Sequence, residues 1–185
     1  MQNLMLDLET VGLNYNAPIV SIGAVLFDLE KAKLGAEFYV AVDLTSSAKN
    51  SPIDADTVKW WMRQSSEAQV VFNDPNAQKL DNALIKFSEF ITNNCDEPSN
   101  LKVWGNGSNF DNVILKEAYN SISLETPWSP FNDRDVRTMV SLAEDLTSKN
   151  IKSLVIREGI YHNALDDAKY QAQCVCEAFK LCKGK

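Results

Sequence analysis

Short apolar runs fill the first part of the chain, and helical spacing takes over after residue 51. Residues 4–8 read as a short apolar strand ending in acids, and residues 19–27 as a β-rich strand bounded by Pro18 and Asp28. A turn at 31–35 leads into a third strand at 37–42. The connections are too short for helical crossovers, so the three strands are expected to form an antiparallel meander. The texture changes at Ser51-Pro52-Ile53-Asp54, where Asp54 or Asp56 can cap a helix through Val58, Trp60, Trp61 and Met62. Ser65-Ser66-Glu67 restarts a short helix that Asn73-Asp74-Pro75 ends.

Residues 76–92 carry Leu80, Leu84, Phe87, Phe90 and Ile91 at the spacing of an amphipathic helix. Residues 101–104 read as a buried strand, broken by Gly105-Asn106-Gly107. Ser108 or Asn109 can cap the next helix, with Val113, Ile114, Leu115 and Ala118 inward. A helix within 133–146 puts Val136, Met139, Val140 and Leu142 on one side, residues 151–160 fit a strand or a short helix, and 163–183 form a long terminal helix. Strands first, then strands mixed with helices, predict an α/β or α+β fold. It is expected to be one mixed β-sheet with helices, in a single domain over residues 1–185.

Composition narrows the function classes. The chain has 185 residues, 45% of them hydrophobic, enough for a sizeable core. No run approaches the roughly 20 apolar residues of a membrane span, and the start lacks the basic segment of a secretory leader. Cytoplasmic residence with no membrane partner is the expectation. Cys95, Cys174, Cys176 and Cys182 form neither a pairing framework nor a zinc motif, and are read as reduced thiols. The net charge of −7 argues against a broad basic clamp on duplex nucleic acid. It still admits a short single strand held by a few cations.

The acids carry the candidate chemistry. Asp7 and Glu9 flank Leu8 at a strand end, so period-two geometry puts both carboxylates on one face. Their repulsion is costly unless a cation joins them, and oxygen-only ligands suit Mg²⁺ or Mn²⁺ better than zinc. Asp111 opens a helix, Asp167 sits about one turn into the terminal helix, and the single histidine is His162. Each alone has a plainer reading: solvated acids at a strand end, an acid complementing a helix dipole, an ordinary histidine.

In combination the motifs are specific. Asp7-x-Glu9-Thr10, Asn109-Phe110-Asp111 and His162-x-Ala164-Leu165-x-Asp167, in that order and spanning nearly the whole chain, resemble the DEDD family of 3′–5′ exonucleases. That resemblance implies an RNase H-like fold. The histidine subgroup (DEDDh) places its base five residues before the last aspartate, as His162 stands to Asp167. The tyrosine subgroup uses the fourth, here Asn163. The run from Asp54 to Ser65, Trp104-Gly105-Asn106-Gly107 and Arg134-Asp135-Val136-Arg137-Thr138 resemble a bacterial and phage exoribonuclease-like subgroup. Relatives often carry His-Asn before the second motif, where this chain has Asn106-Gly107.

The resemblance implies two Mg²⁺ or Mn²⁺ ions, with Asp7 bridging both. Glu9 and Asp167 complete the first, and Asp111 holds the second through water. His162 takes the proton of the attacking water, and nucleoside 5′-monophosphates leave. The implied partner is the 3′ end of a single-stranded RNA or DNA. Thr10 and Leu13 would meet the terminal nucleotide. Trp61, or its neighbour Trp60, would stack a base, the two pointing about 100° apart so that one belongs to the core. Arg137 is placed to meet phosphate or to pair with Asp135. A proofreading module of a polymerase and a non-catalytic binding module are the alternative functions. A homodimer through the Trp60–Gln64 segment is a further expectation.

Overall fold

A computed structural model describes residues 1–107 and 109–184. Among these, five strands form one sheet in the order β3-β2-β1-β4-β5: β1 (Asn3–Thr10), β2 (Ile19–Asp28), β3 (Lys33–Ala41), β4 (Lys102–Gly105) and β5 (Asp133–Asp135). The predicted meander is present, with β1 antiparallel to β2 and β2 antiparallel to β3. On its other side β1 pairs in parallel with β4, which pairs in parallel with β5, making the sheet mixed. The helices are α1 (Leu44–Ser47), α2 (Ala55–Trp61), α3 (Ser66–Gln69), α4 (Leu80–Asn94), α5 (Asp111–Ser121), α6 (Val136–Thr147), α7 (Ile151–Leu154) and α8 (Ala164–Cys182). None is long and apolar enough to cross a membrane.

The central strand is buried along its whole length, so both faces must be covered. Leu4, Leu6 and Leu8 pack with Leu84 and Phe87 of α4 and with Ile114 and Leu115 of α5. Met5 turns the opposite way, into a cluster with Trp104, Val136 of α6 and Ala168, Ala172 and Val175 of α8. Each large apolar side chain removed from water in this way contributes about 1.5–3 kcal/mol before entropy is subtracted. The alternation that fills two cores also assigns Asp7 and Glu9 to the α8 face.

Several local expectations shift. Helix α4 begins at Leu80 because the chain just before it is tied to the sheet: Gln78 N–H donates to Ala41 O and Asp43 N–H to Gln78 O, both at 2.8 Å. Val113 and Leu142 are 37% and 50% exposed, so the buried faces of α5 and α6 exclude them. Strand β5 reads Asp-Arg-Asp and has no apolar alternation to announce it; the free edge of β4 supplies its backbone partners. Residues 151–154 are helical. Phe110 occupies the position before α5 without a side-chain cap, and Ser108 lies outside the described residues.

Gly23 sets how closely the last helix approaches. It lies opposite Asp7 in the β1–β2 ladder, and a Cβ there would run into the backbone of Ala164 and Leu165 at the start of α8. We expect Gly23→Ala to push this helix end outward and lower the melting temperature by roughly 3–10 °C. Thermal unfolding checks this; a wild-type midpoint would mean that the helix can shift without loss.

Candidate active site

Four acids from three distant segments meet at the carboxyl end of β1. Asp7, Glu9 and Asp111 are 8%, 7% and 3% exposed. Asp111 sits where β1 and β4 part: their pairing ends at Met5 and Trp104, and beyond it Asp111 Oδ1 accepts from Leu8 N–H at 3.1 Å. Its Oδ2 accepts from Asn106 N–H at 3.0 Å, so the carboxylate bridges the opening between the strands.

Helix α8 brings the fourth acid. Asn163 caps it, accepting from the N–H groups of Leu165 and Asp166 at 3.1 and 3.2 Å. Asp167 follows within the first turn, and Gln171 one turn later donates from Nε2 to Asp7 Oδ1 at 2.7 Å. His162, just before the cap, has φ +62°. This left-handed conformation costs a non-glycine residue about 1–2 kcal/mol. Its ring is held edge-on by Trp60, with centroids 4.7 Å apart at 79°. Ligand atoms of Glu9, His162 and Asp167 all lie within 4.8 Å of one another. The structure thus brings all five motif residues together in a cleft of about 640 Å³, which Asp7, Glu9, Asp111, His162 and Asp167 all line.

The expected substrate contacts divide. Thr10, Leu13 and Arg137 line the cleft, and Leu13 is 74% exposed. Trp61 does not: it is 3% exposed, and its indole N–H donates to Thr10 O at 2.8 Å, which ties α2 to the end of β1. Trp60 takes the cleft position instead. Arg137 lies beside Asn106, with Nε 3.4 Å from its Oδ1, while Asp135 caps α6 by accepting from Thr138 N–H at 2.9 Å. The alternative Arg137–Asp135 pair is therefore not formed.

Two cleft residues, and a third that pairs with one of the cleft's acids, were not singled out from the sequence. Gln171 stands one helical turn after Asp167, the spacing that puts both on one face. Arg63 lines the rim beside Trp60. Arg157 pairs with Asp167 from the segment between α7 and α8, where periodicity had left the conformation undecided.

Burial and mutual repulsion shape the electrostatics. Burial, with the charges of Asp111 and Glu9, holds the Asp7 carboxyl well above its ordinary range, against the Gln171 hydrogen bond and Arg157. Glu9 is pushed up to about 8 by burial and Asp111, and Arg157 opposes this. Asp111 rises to about 6 through burial, opposed by its backbone N–H donors. Burial and the Arg157 charge lower the His162 pKa. Carboxylates this crowded suit a hard divalent cation, which supplies the missing positive charge and accepts oxygen ligands. The donor set fits Mg²⁺ or Mn²⁺.

The mixed sheet with order β3-β2-β1-β4-β5, with a carboxylate cluster and one histidine at the end of its central strand, has a fold similar to that of solved DEDDh exonucleases. The chain matches the 3′–5′ exoribonuclease Rv2179c-like domain over residues 2–179 and belongs to that family. An exodeoxyribonuclease of Enterobacteria phage T4 is 24% identical over 194 residues, covering 90% of this chain and 84% of the relative. The fold is similar to that of cell-death related nuclease 4 (TM-score 0.69, 15% identity), with 95% of this chain covered but 62% of that one. It is also similar to the nuclease domain of 3′hExo, a DEDDh family member bound to rAMP (TM-score 0.66, 13% identity, 96% and 91% covered). The Mg²⁺- and Mn²⁺-bound form of S. pombe Pop2p aligns as well (TM-score 0.62, 14% identity, 95% and 82% covered).

The raised carboxyl pKa values give the metal-free protein a characteristic pH dependence. In the unfolded chain such groups release their protons near pH 4. In the fold Asp111 keeps its proton to about pH 6 and Glu9 to about pH 8. Over that window the native state binds more protons than the unfolded state, so stability falls as pH rises. We expect the melting temperature in chelator to drop between pH 5 and pH 8. Glu9→Gln should flatten the slope and raise the pH 8 midpoint by several degrees, about 2–4 °C per kcal/mol relieved. A flat wild-type profile would contradict the crowding.

Proposed function

We propose that this chain hydrolyses phosphodiester bonds one at a time from the 3′ ends of single-stranded RNA or DNA, releasing nucleoside 5′-monophosphates. The observation that carries this is the convergence of Asp7, Glu9, Asp111, Asp167 and His162 in one cleft, in a chain of a 3′–5′ exoribonuclease family. Asp7, Glu9, Asp111 and Asp167 would hold two Mg²⁺ or Mn²⁺ ions, and the Mg²⁺ and Mn²⁺ named for Pop2p support that choice. Bound there, divalent cations supply Lewis acidity and offset the charge that develops on a phosphodiester under attack.

The chain's own residues do the rest. His162 takes the proton of the attacking water at an imidazole nitrogen, and its lowered pKa keeps the ring neutral and able to accept at neutral pH. Trp60 and the turn before α8 fix that ring, so the base arrives already oriented. Gln171 orients Asp7 by engaging one carboxylate oxygen. Thr10 and the exposed Leu13 receive the terminal nucleotide, and Trp60 offers a face for a base. Arg63 and Arg137 flank the acids, where they can draw the backbone phosphates of a short strand into a site whose other side chains would repel them. The pairing of two copies through 60–64 gains no support from this arrangement. Trp60 and Trp61 pack against His162, and Gln64 Nε2 donates to Trp60 O at 2.9 Å.

Labelled oligonucleotides with free or blocked 3′ ends, as matched RNA and DNA, test the reading. Stepwise shortening from the free end with Mg²⁺ or Mn²⁺ is expected, none with the blocked end, and the RNA-to-DNA ratio reports whether the pocket meets a 2′-hydroxyl. His162→Ala should lower kcat by roughly 10²–10⁴-fold with metal and strand binding retained. Asp7→Ala should abolish both turnover and calorimetric metal binding. Near-wild-type turnover in His162→Ala would remove the general-base assignment. Unchanged metal titration in Asp7→Ala would remove the metal centre.

A further inference from the structure

Arg157 belongs to none of the motifs, yet its guanidinium is paired with one of the proposed ligands. It lies in the segment 155–163 between α7 and α8 and pairs with Asp167, the two side chains being 16% and 15% exposed. The guanidinium carbon sits 3.9 Å from the centroid of the Tyr161 ring and 5.0 Å from that of Tyr170, close enough for both rings to attract the cation. Its Nε is buried without a hydrogen-bond partner. The segment itself is pinned: Ile160 N–H donates to Asp166 Oδ2 at 2.8 Å. Gly159, at φ +85°, lies so close to the Asp166 side chain that a Cβ would run into it. Arg157 is thus aimed at Asp167 by a loop with little freedom to aim it elsewhere.

Asp167 therefore has two claimants. One is this guanidinium. The other is any cation held where the ligand atoms of Glu9, His162 and Asp167 converge within 4.8 Å. Both draw on the same carboxylate charge, and a guanidinium beside a cation adds repulsion. We infer that Arg157 is a positioning residue that sets the divalent-cation affinity of the site: it neutralises Asp167 in the metal-free protein and competes with the cation for it. This rests on the metal-centre reading above. Its consequence runs opposite to that of removing a ligand. Taking away the Arg157 charge leaves a largely buried carboxylate unpaired, which weakens the metal-free fold and raises the gain on binding a cation.

Calorimetric titration of the full chain with Mn²⁺ tests this, using wild type, Arg157→Gln, Arg157→Lys and Asp7→Ala. Arg157→Gln should bind Mn²⁺ roughly tenfold or more tightly, while Arg157→Lys, which keeps the charge, should stay near wild type. In chelator Arg157→Gln should melt below wild type, and Mn²⁺ should close that gap. Equal or weaker Mn²⁺ binding by Arg157→Gln overturns the inference while leaving the metal centre standing. Wild-type protein that binds no Mn²⁺ in an Asp7-dependent way overturns both. If Arg157→Gln does not fold, the wild type still decides: NMR of the Arg157 Nε–H should shift on Mg²⁺ saturation as the guanidinium leaves Asp167. An unmoved signal overturns the inference.

Discussion

Three buried carboxylates, with a fourth nearly so, gathered in one cleft with a single imidazole are an arrangement that folding alone would avoid. Asp7, Glu9 and Asp111 are each less than 10% exposed, and like charges taken out of water raise one another's proton affinity. The surrounding structure compensates in a definite way: backbone N–H groups of Leu8 and Asn106 hold Asp111, the Gln171 amide holds Asp7, and Arg157 holds Asp167. These contacts reduce the repulsion without removing it, which leaves the cluster a strong attractor for hard cations. Stability conceded at a catalytic centre in this manner is a general feature of enzymes.

The sheet makes that concession possible. A strand buried on both faces can present Leu8 to one core and hold Asp7 and Glu9 on the other, where they meet only the cleft. The parting of β1 from β4 beyond Met5 then opens the crevice in which Asp111 sits. Ligand sites in open α/β sheets commonly lie outside the carboxyl ends of strands where the topology changes direction, and here β1 has an antiparallel neighbour on one side and a parallel one on the other. Gly23 completes the frame by letting the start of α8 rest directly on the sheet opposite Asp7.

Adjacent tryptophans show how helical geometry divides labour within one motif. Trp61 turns inward and fastens α2 to Thr10 O, while Trp60 turns toward the cleft and holds His162. The loop expected to meet the terminal nucleotide and the base expected to take the proton are therefore linked through one short helix. A change in α2 would reach both without touching any acid.

Much of this was legible in the residues alone. Strand alternation, the helical spacing in α4 and α8 and the offsets among Asp7, Glu9, Asp111, His162 and Asp167 depend on local periodicity and on motif order, which a linear chain carries in full. What it could not carry was partnership across distance. Strand β5 has a polar sequence and exists because β4 offers an edge. The start of α4 is set by a backbone bridge from Gln78 to Ala41. Which of Trp60 and Trp61 faces the cleft depends on where α2 docks. Arg157 and Gln171 enter the site only when α8 and the loop before it are laid across β1. The sequence determined the four acids and the histidine, because their chemistry is in their identity and spacing. Tertiary structure decided which neutral and cationic groups restrain them, because electrostatic and hydrogen-bonding partners are chosen by proximity in space.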